Sequence, residues 1–173
     1  MRIKFLSTLI SLLFLIFFLV LFKGLKNPNI YTPSIIYEKK IPNFRSQLFD
    51  STAEINSDEI FIDDKFYLLN IWSSWCVPCR YEHEFLINLK KEQNLKIVGL
   101  NYKDNIDNAK NYLEELSNPY DILISDKNGL IAIEWGAYGV PETFLIHEKK
   151  ILKKIIGPIS YDLMNEIIEL TNL

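Results

Sequence analysis

Cysteine and histidine are scarce in this chain, with two of each among 173 residues. A closed zinc site needs four ligands. Here it would have to combine Cys76 and Cys79 with His83, one helical turn on, and His147, far along the chain in an expected strand. His83 reads as an exposed helix residue, and no metal is expected. A haem-attachment signature needs histidine directly after the second cysteine, and Arg80 stands there instead. A basic excess is missing too. Arg2 and Lys4 precede the apolar start, so 17 of the 19 basic groups face all 22 acids, a formal charge of −5 for the remainder. Nucleic-acid binders carry a basic face, so that class is set aside. The acidic balance suits ordinary solubility and is mildly compatible with a basic protein partner. Internal repeats and low-complexity tracts are also lacking.

Charge is absent from Phe5 to Phe22, a run of 18 residues, FLSTLISLLFLIFFLVLF. That length just crosses a bilayer as a helix. The following FKGLKNPNIY offers no small-residue cleavage site of the kind that ends a signal peptide. Residues 1–22 are therefore expected to be an uncleaved membrane anchor. Its short basic tail stays inside and the rest is exported. The stretch KNPNIYTPSIIYEKKIPNF, with three prolines and no steady period, suits a tether over residues 23–40. One domain is expected over 41–173, a size that can bury a real core.

Within that domain, FYLLNIW (Phe66 to Trp72) is a short apolar run suited to a buried strand. From Val77 to Gln93 the residues Phe85, Leu86 and Leu89 recur at helical spacing, and Pro78 fits the first turn of a helix. A strand over Lys96–Tyr102, a helix over Asn105–Ser117 and a strand over Asp121–Ser125 follow. TFLIHE and ILKKIIG flank a turn at EKK and predict a hairpin, and YDLMNEIIELTNL predicts a closing helix. The order β-α-β-α-β-β-α defines an α/β domain, and its alternating part favours a parallel sheet.

Cys76 and Cys79 sit between the first of these strands and its helix, in WSSWCVPCRYEHEF. A permanent staple across so short a loop would gain little chain entropy. A redox dithiol is the reading that remains. Unpaired N–H groups and the helix dipole stabilise a thiolate at Cys76, whereas Cys79 is shielded one turn in. Cys76 is expected to attack a disulfide in a partner, and Cys79 to resolve the mixed disulfide that forms.

WCVPC after a buried strand resembles the thioredoxin superfamily. The set LLNIWSSWCVPCRYEHEFL, VGLNYKD and WGAYGVPETFLI is similar to the CcmG/DsbE thiol:disulfide interchange proteins of cytochrome c maturation. The resemblance covers about Ile41 to Leu170 plus the anchor. It implies a thioredoxin-like fold, a central mixed sheet flanked by helices, behind one transmembrane helix. It makes Pro141 a cis-proline facing the cysteines, where the residues alone predict trans. Trp75, Val140 and Pro141 would bind the substrate, with the Val140 backbone pairing to an extended client strand. Thioredoxins carry a buried Asp six residues before the first cysteine, and this chain has Asn70. Family members place acids near the site instead. Glu82 and Glu142 match them and would disfavour the Cys76 thiolate, making the dithiol a better donor. Neither acid is expected in the core.

The implied activity is reduction of the CxxCH disulfide in apocytochrome c, or of a maturation-complex protein, without a cofactor. The domain would lie on the periplasmic side of the inner membrane and be re-reduced by a membrane dithiol transporter. A reductase resembling the ResA/TlpA group, a redox-inert binder and a disulfide-donating oxidase are the rival readings. The oxidase requires a strongly depressed Cys76 pKa.

Overall fold

The computed structural model of the chain describes residues 2–26, 39–62 and 64–172. The chain divides into two units, residues 1–32 and 33–173. In the first, helix α1 (Arg2–Lys26) runs for 25 residues, about 37 Å at the α-helical rise. Its side chains from Phe5 to Lys23 are exposed, and it is apolar and long enough to cross a membrane. Most of the expected tether, residues 27–38, lies outside the described residues.

The second unit is built on one mixed sheet of eight strands. In chain order its elements are β1 (Lys39–Lys40), β2 (Arg45–Leu48), β3 (Glu54–Asn56), α2 (Ser57–Ile60), β4 (Phe66–Trp72), α3 (Val77–Leu89), β5 (Leu95–Tyr102), α4 (Ile106–Leu116), β6 (Ile122–Asp126), α5 (Leu130–Glu134), β7 (Glu142–His147), β8 (Lys150–Ile156) and α6 (Tyr161–Thr171). The strands lie side by side in the order β1-β8-β7-β4-β5-β6-β2-β3. This is the thioredoxin-like α/β arrangement.

The central strands β4, β5 and β6 are parallel, as the alternation predicts, while β7 runs antiparallel to β4 and β8 antiparallel to β7. At the other side β2 runs antiparallel to both β6 and β3, and the β7–β8 hairpin turn is tight. Its two loop residues Glu148 and Lys149 both take positive φ, 49° and 58°, which matches a tight primed turn. The sheet already includes Lys39 and Lys40, paired with Lys150 and Ile151 of β8.

Strand β4 is apolar at every position but Asn70 because both faces of the sheet are covered. Tyr67, Leu69 and Ile71 pack with Phe61, Trp135 and Phe144 on one side. Leu68 and Trp72 pack with Leu86, Leu89, Tyr112 and Ile167 on the other. The cysteines belong to the second side, and Asn70 shares the register of Leu68 and Trp72. Helix α3 stops at Leu89 rather than Gln93, because its buried stripe, Cys79, Glu82, His83, Leu86 and Leu89, ends there.

Gly99 of β5, opposite Asn70, is a required glycine. A Cβ there would fall 2.7 Å from the Tyr120 ring and 2.6 Å from Leu123 Cδ1. The bare backbone lets Tyr120 lie across β5 and reach Asn70.

Candidate active site

The cysteine loop leaves the carboxyl end of β4. Ser73 Oγ donates to the Tyr102 carbonyl at 2.5 Å. Asp104 then acts as a four-fold acceptor, taking Ser74 N at 2.6 Å, Ser74 Oγ at 2.7 Å, Asn101 Nδ2 at 2.9 Å and Asn105 N at 2.9 Å. Trp75 Nε1 donates to the Lys103 carbonyl at 3.2 Å, while the indole remains 57% exposed. The loop is thus fixed to the end of the neighbouring strand before the cysteines are reached.

Cys76 is the N-cap of α3, with φ −86° and ψ 105°, and its Sγ accepts the Cys79 N–H at 3.2 Å. Sulfur occupies the place that a Ser or Asp oxygen takes at an ordinary helix start. Pro78 falls in the first turn, where its missing N–H leaves no gap in the helix ladder. The two cysteines form a disulfide, and both are buried. Opening that disulfide would leave Cys76 facing the unpaired N–H groups of the helix, the setting that stabilises a thiolate.

Register brings the second half of the site to the same end of the sheet. Ile71 pairs with Glu142, so Val140 and Pro141 precede β7 beside the end of β4. The Val140–Pro141 peptide is cis. Val140 is partly buried, Pro141 is buried, and the Pro141 carbonyl accepts Gly157 N at 3.0 Å. Around this end Trp75, Val77 and Tyr138 expose large apolar surfaces.

Both acids differ from expectation, for Glu82 and Glu142 are fully buried rather than outside the core. Glu82 lies on the inner stripe of α3, one turn past Cys79. Its Oε1 accepts Asn70 Nδ2 at 2.8 Å and its Oε2 accepts Ile159 N at 2.8 Å. Burial pushes its pKa up to about 7 against the pull of these two donors, which favour the charged form. Asn70 is held from three directions. Besides Glu82, its Nδ2 donates to Thr143 Oγ1 at 3.0 Å, and its Oδ1 accepts Tyr120 OH at 2.9 Å. Burial holds the Tyr120 hydroxyl well above the usual phenol range, so it stays a donor. Glu142 Oε1 accepts Tyr138 N at 2.5 Å and Gly139 N at 3.1 Å, and its Oε2 lies 2.9 Å from Lys154 Nζ.

His83 is also buried, not exposed. Its Nε2 lies 2.8 Å from the Ser117 carbonyl and its ring meets Tyr112 edge-on at 5.2 Å, and burial lowers its pKa. His147 stacks on Phe66 at 4.2 Å. Among the described residues, no three His, Cys, Asp or Glu side chains stand together as a metal-binding group.

Sequence reasoning brought out Cys76, Cys79, Trp75, Val140 and Pro141, and the structure gathers them at one end of the sheet. It did not bring out Asp104, Tyr120, Thr143 or Lys154. Asp104 had a signal, since it lies inside the quoted VGLNYKD. Thr143 likewise lies inside WGAYGVPETFLI, whereas Tyr120 and Lys154 had none, because each acts from a distant element.

A parallel βαβ core extended by an antiparallel hairpin, with a cysteine pair opening the helix after the central strand, defines a protein of the thioredoxin-like class. The chain belongs to the Redoxin family, whose model matches residues 37–164. It is 33% identical over 156 residues to the thiol:disulfide interchange protein DsbE of Yersinia pestis, covering 88% of this chain and 81% of that one. It is 41% identical over 120 residues to the protein of the same name from Tatumella citrea, covering 69% of this chain and 64% of that relative's length. Among solved structures, the thioredoxin domain of a thiol-disulfide oxidoreductase from Bacteroides vulgatus superposes with a TM-score of 0.67 at 20% identity, covering 80% of this chain and all of that domain. At that identity the likeness concerns the fold.

Proposed function

We propose that the chain is a membrane-tethered thiol–disulfide oxidoreductase that reduces the CxxCH disulfide of apocytochrome c, or of a protein of its maturation complex. The observation that carries this reading is the position of Cys76 as the sulfur N-cap of α3, joined to Cys79. The naming of its relatives as thiol:disulfide interchange proteins supports it.

In the reduced protein, the Cys76 thiolate attacks one sulfur of the client disulfide and expels the other as a thiolate. The Cys79 thiolate then attacks Cys76 Sγ and expels the second client sulfur. The client gains two electrons and two protons, and the chain ends with the Cys76–Cys79 disulfide. Trp75, Val140 and Pro141 bind the client as an extended strand along the segment before β7, through the backbone of Val140. The resemblance gives both Glu82 and Glu142 the role of tuning the pair. Residues 1–22 anchor the chain in the inner membrane, residues 23–40 tether it and residues 41–173 work on the periplasmic side. A membrane dithiol transporter restores the reduced form.

Trapping tests the reading. A Cys79→Ala protein cannot release its client and should accumulate a mixed disulfide through Cys76, which mass spectrometry identifies. A c-type apocytochrome peptide or a maturation protein is expected. Capture of an unrelated exported thiol protein would point to a reductase of the ResA/TlpA kind, and no capture at all would defeat the redox reading.

A further inference from the structure

The resemblance treats Glu82 and Glu142 as a pair, but their surroundings differ. Glu82 receives two neutral donors, Asn70 Nδ2 and Ile159 N. Glu142 meets a cation. Lys154 of β8 has a side chain only 9% exposed, with its Nζ 2.9 Å from Glu142 Oε2. The same nitrogen donates to the Gly136 carbonyl at 2.7 Å and lies 4.1 Å from the centre of the Tyr138 ring. Glu142 in turn accepts the N–H groups of Tyr138 and Gly139. Apart from the Phe144 ring, 5.5 Å from the same nitrogen, these contacts fall on residues 136–142, the segment that carries Val140 and Pro141. The carbonyl accepts a hydrogen bond from the ammonium, the carboxylate faces it as an ion-pair partner and the ring face lies against it. The neighbouring Lys153 pairs instead with Glu166 of α6, so Lys154 is the lysine of this strand directed at the site.

We infer that Lys154 is a positioning residue for the client-binding segment, and that by pairing with Glu142 it removes that acid's charge from the cysteines, leaving Glu82 as the acid that tunes them. The inference rests on the thiol–disulfide reading above. Two physical arguments carry it. A carboxylate next to an ammonium presents a dipole, whose field falls off faster than that of a lone charge. A clamp gripping one carbonyl and, through Glu142, two N–H groups of a short segment fixes the backbone that must align with a client strand. Glu142 therefore acts on client binding, and Glu82 acts on the thiolate.

The test uses the full chain in detergent, with a CxxCH disulfide peptide as client and iodoacetamide alkylation of the reduced protein to titrate Cys76. Lys154→Met should raise KM at least tenfold with a smaller change in kcat, and should raise the Cys76 pKa by unmasking Glu142. Glu142→Gln should raise KM while leaving the Cys76 pKa where it was. Lys154→Met combined with Glu142→Gln should return the pKa to the parental value and keep the raised KM. Glu82→Gln should lower the Cys76 pKa. The inference is overturned if folded Lys154→Met keeps the parental KM, or if Glu142→Gln moves the Cys76 pKa as far as Glu82→Gln does. Should Lys154→Met fail to fold, the near-isosteric Glu142→Gln decides by the same two readouts. A parent protein that reduces no peptide would fail the oxidoreductase reading by itself, and the alkylation arm, which needs no client, would still separate the two acids.

Discussion

Asn70 donates to Glu82 Oε1 at 2.8 Å, so a residue of the strand before the cysteines and a residue of the helix after them share one buried hydrogen bond. The amide at this position does not leave the site without a buried carboxyl. It supports one that α3 delivers from the opposite direction, and Tyr120 and Thr143 fix the amide's orientation.

Stability should depend on pH through Glu82. Its folded pKa of about 7 lies above the ordinary 4.5, so the folded state binds the proton more tightly than the unfolded one. The contribution is fully present below pH 4.5 and is lost as pH rises through 7, by about 3 kcal/mol in all. Urea unfolding of the soluble domain from pH 4.5 to 8 should show this fall, and Glu82→Gln should flatten it. Absolute stability of the variant is a poorer readout, because the Gln amide would direct a donor at Asn70 Nδ2 or at Ile159 N. An unchanged slope would mean that the buried carboxyl is solvated in solution.

Asn70→Asp should be tolerated in acid and costly above neutrality. It would set a second carboxyl against Glu82 Oε1, now 2.8 Å from the amide, and two carboxylates so close share one proton. The variant should lose at least about 2 kcal/mol relative to the parent at pH 8, and much less at pH 5, in the same unfolding assay.

Asp104→Ala should loosen the approach to Cys76 without emptying the core. It removes the acceptor for two backbone N–H groups and two side-chain donors. A loss of about 1–3 kcal/mol is expected where partly buried donors are left unpaired. Trp75, held through the adjacent Lys103 carbonyl, should become more mobile, seen as reduced fluorescence anisotropy. Parental anisotropy would show that Lys103 and Ser73 fix the loop by themselves.

The anchor makes a separate prediction. If α1 spans a bilayer, the mature chain keeps Met1 to Phe22 and stays with membranes through salt and carbonate washing. A mature N-terminus beyond Phe22 would remove the anchor and leave the cysteine chemistry intact.

The legible parts of the fold are those whose cause is local. FYLLNIW is apolar at every position but one and announces a strand buried on both faces. Cys76 follows it after three residues, and Phe85, Leu86 and Leu89 show which side of the next helix faces inward. What was not legible depends on partners far away in the chain. Glu82 lies in the charged run RYEHE, and nothing local reveals donors at Asn70 and Ile159. Lys154 lies in a basic pair whose members pair with different elements, Lys153 with Glu166 and Lys154 with Glu142. The hairpin of β2 and β3 is short and polar, and α5 is a five-residue helix whose Ile131 and Ala132 N–H groups are capped by Asp126 of β6. Neither offers a pattern long enough to count.

The order of the sheet also bears on how such a molecule avoids entanglement with unfolded polypeptides. Its outermost strands are β1, two lysines, and β3, the three residues Glu54–Asn56. Both of these strands are short, and the charged residues they carry discourage lateral growth. Under the proposed function, backbone pairing with a guest belongs to the short segment before β7. If the domain meets unfolded chains one after another, as proposed, such edges favour the release of each of them over the seeding of an aggregate.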